Sequence, residues 1–147
     1  MTDKCVNLTK RWEGLSLNPY RCPRGILTIG YGHVITKKDN FQYPITREFA
    51  EQLLIKDLKG IEMLITPMIK INIHPYMLDA LVCFSFNVGA YAFQSSTLRR
   101  KLNNGEWYEC ADQFLRWIYS GGKIFKGLIN RRKEERELFL EGVKLYG

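Results

Sequence analysis

Near the start of the chain, apolar residues recur at helical spacing. Cys5, Leu8 and Trp12 lie three and four positions apart and fall on one face of a helix predicted over Asp3–Glu13. Asp3 at its start and Lys10 and Arg11 near its end complement the helix dipole, and Gly14 supplies the stop. Glu13 is thereby placed at the C-terminal end of the helix. From Leu15 to Tyr43 the pattern shortens. Pro19, Pro23, Gly25, Gly30 and Gly32 punctuate β-type runs such as Ile26-Leu27-Thr28-Ile29, and they predict a small antiparallel sheet of hairpins.

Beyond Pro44 the pattern is helical. Thr46 caps a helix predicted to about Ile65, with Phe49, Leu53, Leu54, Leu58 and Ile61 inward, and Thr66-Pro67 ends it. Pro75 opens a helix over Tyr76–Val88 that is apolar nearly all round, which marks it as the buried centre. Gly89 ends that helix. Ser95 or Ser96 caps another reaching Asn103. Two more are predicted, over Trp107–Ile118 and from Leu128 to about Val143, separated by Gly121-Gly122-Lys123. No internal repeat interrupts this order. The predicted fold class is α+β in a single domain, residues 1–147. A first helix (about 3–13) leads into a small antiparallel sheet lobe (about 15–43) and a larger helical lobe (about 46–147), with a cleft between the lobes.

Composition narrows the class. With 46% hydrophobic and 25% charged residues the chain is too apolar for disorder, and it is long enough to bury a core without disulfides. Lys and Arg number 22 against 15 Asp and Glu, a net charge of +7. This excess favours a polyanionic partner: nucleic acid, anionic lipid or an acidic cell wall. The spacing of Cys5, Cys22, Cys83 and Cys110 matches no zinc or redox pattern. Cys5, Cys83 and Cys110 read as buried thiols, and Cys22 falls in a loop. Met1–Glu13 has no apolar leader core, and Leu81–Val88, the longest largely apolar stretch, is too short to span a bilayer. The expectation is a product made in the cytoplasm without a signal peptide and without stable membrane insertion.

The chemistry concentrates in Glu13-Gly14, Cys22 and the run Thr28-Ile29-Gly30-Tyr31-Gly32-His33. Cleaving a glycosidic bond needs an acid to protonate the leaving oxygen and a group that guides or replaces the attacking water. Glu13, where a helix meets the sheet lobe, is placed for the first task. Thr28 on the hairpin can hold a water, with the Cys22 thiol beside it. Arg21 and Arg24 flank Cys22 and favour its thiolate. Simpler roles are open for each: a solvated Glu at a helix end, a loop cysteine, a Thr chosen for β-propensity. His33 reads as structural, His74 as a surface turn residue, and Trp12, Trp107 and Trp117 as core. Gly30-x-Gly32 is not a nucleotide motif, since no phosphate-binding helix follows. Lys123, Lys126, Arg131, Arg132, Lys133 and Arg136 read as a solvated helix face, with Arg131–Glu135 and Lys133–Glu137 pairs, or as a surface partly facing an anionic wall.

Taken together, these segments resemble glycoside hydrolase family 24, the phage-type lysozymes and endolysins. That family carries a Glu at the end of its first helix, an Asp or Cys nine positions on and a Thr six beyond, the separations of Glu13, Cys22 and Thr28. Thr28–His33 resembles its Thr-Ile-Gly-x-Gly-His run. Phe84–Gly89 and Phe93–Leu98 resemble its central-helix segment and the start of its next helix, and Gly127–Arg132 with Glu135 its C-terminal Arg-Arg helix.

The resemblance implies a lysozyme-like fold and a muramidase that hydrolyses the β-1,4 bond between N-acetylmuramic acid and N-acetylglucosamine in bacterial peptidoglycan. Glu13, Cys22 and Thr28 are the implied catalytic residues. Val34, Phe86, Asn87 and Ser96 are implied to line the sugar cleft, and Arg131 to pair with Glu13. No metal or organic cofactor is implied. The implied biology is host-cell lysis by a monomeric phage or prophage endolysin that acts on the wall after release by a separate holin-type protein. Many members carry Asp at the position of Cys22, so retaining and inverting outcomes both stay open. A non-catalytic wall-binding protein and a basic helical nucleic-acid binder are the competing classes. No recognised nucleic-acid motif supports the latter, and no nucleic-acid partner is expected.

Overall fold

Thr2 starts the first helix, its hydroxyl accepting the Lys4 N–H at 3.2 Å. In the computed structural model, which describes residues 1–146, α1 runs Asp3–Glu13 as the apolar period predicts. Gly14, at φ 71°, ends it by donating its N–H to the Lys10 carbonyl at 3.1 Å. The chain then forms a meander of β1 (Ser16–Arg21), β2 (Leu27–Gly30) and β3 (His33–Val34), antiparallel throughout. Tyr20 lies opposite Thr28, and Thr28 opposite Val34. Residues 22–25 close the first hairpin, with Cys22 N–H on the Ile26 carbonyl at 3.0 Å and Gly25 N–H on the Cys22 carbonyl at 2.7 Å.

The helical lobe begins with α2 (Arg47–Ile65), capped by Thr46 through the Phe49 N–H at 3.0 Å. A short 3-10 turn, Thr66–Met68, follows. The central helix α3 (Pro75–Val88) buries Met77, Ala80, Leu81, Val82, Cys83 and Phe84, as its apolar character requires. His74 is more than a turn residue: its ring accepts the Tyr76 N–H at 3.1 Å and caps this helix. Then come α4 (Ala90–Gln94), α5 (Thr97–Asn103), α6 (Trp107–Phe114), a hairpin of β4 (Tyr119–Ser120) and β5 (Lys123–Ile124), and α7 (Lys126–Tyr146). Helix α3 packs against α1, α2 and α7. The approach to α7 is close: a Cβ at Gly142 would meet the Met77 backbone nitrogen at 2.7 Å.

Three expectations are corrected. The helix predicted over Trp107–Ile118 stops at Phe114, because the Gly121-Gly122 pair, at φ 59° and 79°, turns the following residues into a hairpin. Arg131 and Arg132 are not part of a solvated face; both are buried. Of the two predicted pairs on α7, Arg131–Glu135 forms at 3.2 Å, and Lys133 and Glu137 stay exposed and unjoined among the described residues. Cys5, Cys83 and Cys110 are buried free thiols, as expected. Among the described residues no helix is long and apolar enough to cross a membrane.

His33 ties the sheet to the helical lobe. Its Nδ1 lies 2.7 Å from Asp57 on α2, and its Nε2 lies 3.0 Å from Asp39 beyond β3. The hydrogen bond to Asp57 is the main cause that raises the imidazole's proton affinity; burial opposes it and Asp39 adds to it. Burial works against the Asp39 carboxylate, but the Thr36 N–H and His33 outweigh it and lower its pKa. A raised base stabilises fully below its unfolded value of about 6.5 and loses that contribution as pH climbs through the folded value. A depressed acid stabilises above about 3.9 and loses that contribution as pH falls through its folded value. His33→Gln is therefore expected to lower stability by about 2 kcal/mol near pH 5, and by much less at pH 9 or pH 2. Denaturant midpoints of both proteins across pH check this; a difference independent of pH overturns it.

Candidate active site

Because α1 ends at Gly14, Glu13 is delivered to the junction of the two lobes with its side chain about one-fifth exposed. Its two oxygens have different neighbours. Oε2 accepts a hydrogen bond from the Arg131 guanidinium at 2.7 Å, across 118 residues of sequence. Oε1 lies over Gly32, where a Cβ would approach to 2.6 Å. Gly32 also has φ +80°, so glycine is required there twice over: for its backbone angle and for the carboxyl above it.

Arg131 is one member of a buried charged layer. Its Nε donates to Glu135 at 3.2 Å and a second nitrogen to the Cys83 carbonyl at 3.4 Å. Fully buried Glu135 also accepts from Arg132 at 2.6 Å. Arg132 donates onward to the Trp117 carbonyl at 2.8 Å and to Asn87 Oδ1, and lies over the Phe84 ring. Asn87 thus has its carbonyl oxygen occupied and its amide N–H groups left over, on an exposed residue at the end of α3.

The β1–β2 hairpin supplies the other side. Thr28 is buried and donates its hydroxyl to the Ile26 carbonyl at 2.9 Å, which leaves the oxygen able to accept. Cys22 is part-exposed. Its thiol pKa is lowered, first by a backbone hydrogen bond from Ile26 and then by one from Arg24; slight burial opposes, and the Thr28 hydroxyl and the Arg24 charge contribute less. Arg21, expected to act on the sulfur, instead donates to the Gly25 carbonyl at 2.9 Å. Burial pushes the Cys5 and Cys110 thiols up to about 12 and Cys83 well upward, so Cys22 is the acidic thiol of the four.

An open groove of about 280 Å³ is lined by Glu13, Gly14, Leu15, Ser16 and Tyr20. A similar groove of about 290 Å³ between α1 and α7 is lined by Lys4, Arg11, Glu134 and Glu141 among others, and includes none of the predicted site residues. Val34 is half-exposed across from Thr28, and Phe86 half-buried on α3. Ser96 is buried, with both hydroxyl functions used: it accepts the Arg99 N–H at 3.0 Å to cap α5 and donates to the Phe93 carbonyl at 2.7 Å. Sequence reasoning missed Glu135, Arg132 and Tyr20 as parts of the site. Tyr20 stands opposite Thr28 across the β1–β2 pair, a register that the sequence pattern alone does not display. Among the described residues, no group of three or more His, Cys, Asp or Glu side chains is arranged to hold a metal ion.

The family model described as phage lysozyme matches residues 10–135, a span that holds Glu13, Gly32, Cys22, Thr28 and Arg131. The chain belongs to the phage lysozyme family. It is 40% identical over 139 residues to an endolysin of Bacillus phage B103, covering 93% of this chain and 52% of that relative. It is 43% identical over 131 residues to a SAR-endolysin of Enterobacteria phage P21, covering 88% of this chain and 78% of the relative. The chain spans about half the length of the Bacillus phage endolysins it matches. Among solved structures, the muramidase domain of SpmX from Asticaccaulis excentricus superimposes with a TM-score of 0.85 at 33% identity, covering 95% of this chain and 96% of that one. An endolysin from Escherichia coli O157:H7 phage FAHEc1 does so with the same TM-score and identity, covering 95% and 92%. The lysozyme-like α+β fold is the fold of this family.

Arg131 is expected to be the most sensitive point of the site scaffold. Arg131→Met removes one cation from between two carboxylates and should lower stability by about 3–5 kcal/mol, read as a shift of the denaturant midpoint. A loss below about 1 kcal/mol would place the pair among weak surface bridges and overturn this account.

Proposed function

We propose that this chain is a muramidase, hydrolysing the β-1,4 bond from N-acetylmuramic acid to N-acetylglucosamine in bacterial peptidoglycan. The observation that carries this reading is the division of labour on Glu13: Arg131 fixes Oε2, and Oε1 is left over Gly32 at the edge of an open groove. In its protonated form Glu13 delivers a proton from Oε1 to the leaving glycosidic oxygen as the bond breaks. Thr28 and Cys22 hold the water whose oxygen forms the new bond to the anomeric carbon, and the Cys22 thiolate takes its proton. This course inverts the anomeric configuration. Direct attack by the sulfur, which the lowered thiol pKa also permits, passes through a glycosyl-enzyme and retains it.

Val34, Phe86 and Asn87 are assigned to the sugar cleft, Asn87 as an amide donor. Ser96 contributes by fixing the start of α5. No step uses a metal or organic cofactor. The +7 charge suits the anionic wall, and the absence of a recognised nucleic-acid motif is what weighs against a nucleic-acid partner. We further propose a monomeric endolysin, made in the host cytoplasm and released to the wall by a separate holin-type protein.

Glu13→Gln is expected to fold normally and to lose roughly two to four orders of magnitude in the clearing of exposed peptidoglycan; near-normal clearing by the folded variant overturns the mechanism. For Cys22 the expected series is an active Cys22→Asp and a badly impaired Cys22→Ala. The thiolate forms only as pH rises toward its depressed value, whereas a carboxylate is ionised above about 4. The acid limb of Cys22→Asp should therefore extend to lower pH than that of the natural protein. NMR of the first-formed product reads the anomeric outcome, and a fully active Cys22→Ala removes the sulfur from both routes.

A further inference from the structure

Tyr20 is placed by the sheet on the catalytic face. It lies directly opposite Thr28 in the β1–β2 register, and residues opposed in an antiparallel pair project to the same side. Cys22, two positions on, begins the turn that closes the hairpin and lies near enough for its charge to act on the phenol. The phenol borders the same groove as Glu13, and it is 38% exposed. The hydrogen bonds that fix the rest of the site, from Arg131 to Glu13 and from Thr28 to Ile26, leave its hydroxyl out. A ring that borders the groove beside the acid, opposite Thr28 in the sheet and with no hydrogen-bond partner for its O–H among the described residues, has the chemistry of a sugar contact: an apolar face and one donor.

We propose that Tyr20 is a further substrate-contacting residue, whose phenol O–H donates a hydrogen bond to an oxygen of the pyranose held between Glu13 and the Cys22–Thr28 pair. The inference rests on the muramidase reading and adds to it a residue with a defined role. Its surroundings suit a donor and not a base. Burial first, then the negative charges of Glu13 and Cys22, hold the phenol above its ordinary value, so it keeps its proton throughout the range in which a carboxylic acid and a thiolate act. Strand β1 is the edge of its sheet, and Tyr20 is not among the buried core residues, so removing one oxygen there leaves the packing intact.

The test compares Tyr20→Phe and Tyr20→Leu with the natural protein on purified peptidoglycan, with kcat and KM measured across pH and denaturant midpoints measured in parallel. Tyr20→Phe is expected to keep its midpoint and lose about tenfold in kcat/KM, the worth of one hydrogen bond to substrate. The limbs of its pH profile should stay where they were, because a neutral donor does not titrate there. Tyr20→Leu, which also loses the ring, should fall further. Unchanged kcat and KM in Tyr20→Phe overturn the proposal. So does the loss of a limb from its pH profile, which would make Tyr20 an acid–base group. If the natural protein leaves peptidoglycan intact, the muramidase reading fails and this inference with it. If the natural protein cleaves, Glu13→Gln does not and Tyr20→Phe matches the natural protein, the inference alone fails.

Discussion

The structure depends on one buried run of charge. Glu13, Arg131, Glu135 and Arg132 form an alternating chain of ion pairs at 2.7, 3.2 and 2.6 Å, ending on Asn87. Three helices meet in it: α1 gives Glu13, α3 gives Asn87 and the Cys83 carbonyl, and α7 gives the rest. An unpaired charge at this depth would be far more costly than the pair is favourable. The layer is therefore stable only when all three helices are docked in one register. The placement of the acid is thus a by-product of satisfying buried charge, and Glu13 has little freedom to drift from the lobe junction.

That rigidity explains why the neighbouring strand segment must be so spare. With Oε2 held, Oε1 has one place to be, and the chain passes beneath it at Gly32. Any side chain there would meet the carboxyl or strain a left-handed backbone. The adjacent Tyr31 turns inward to the core, and His33 bridges to Asp57 on α2 and to Asp39. Three successive residues of one short run thus carry three tasks: anchoring the sheet in the core, clearing space for the acid, and tying the sheet lobe to the helical lobe.

Much of this was legible along the chain because it is local. Thr46 and Ser96 cap helices as their positions suggest, Pro75 opens α3, Gly14 and Gly89 close helices, and the all-round apolarity of Tyr76–Val88 marks the centre. The positions of Glu13 at a helix end and of Thr28 on a hairpin were legible for the same reason, since a helix end and a hairpin are short-range objects. The significance of their spacing with Cys22 came from the family resemblance. What stayed hidden is non-local. Arg131 and Arg132 sit in a run of cations that reads as a wet helix face; the pairing of Arg131 with Glu13 was implied by the family resemblance and not by that run. Glu135 on the same helix, together with Glu13 and Asn87 from distant segments, makes their burial tolerable. The end of α6 was misplaced because Trp117 and Ile118 continue an apolar pattern that the glycine turn overrides. Helix α4 is five residues long, too short for a period to declare itself.

Cys22 shows how local backbone geometry can set chemistry that composition suggests for another reason. Neighbouring arginines favour a thiolate on charge alone, yet Arg21 is engaged with the Gly25 carbonyl, and the leading contributions are backbone hydrogen bonds from Ile26 and Arg24. Such a cradle is set by the tight turn at residues 22–25 and not by any one side chain. It stabilises negative charge on whatever atom occupies it, sulfur or carboxylate oxygen, because N–H dipoles do not distinguish them. A turn of this kind places no demand on the identity of the acceptor, so Asp and Cys are both compatible with it. The exchange alters instead the softness, size and proton affinity of the group beside Thr28. The hairpin thus fixes where the acidic group stands and how readily it ionises, and the sulfur itself sets what that group can do as a nucleophile or base.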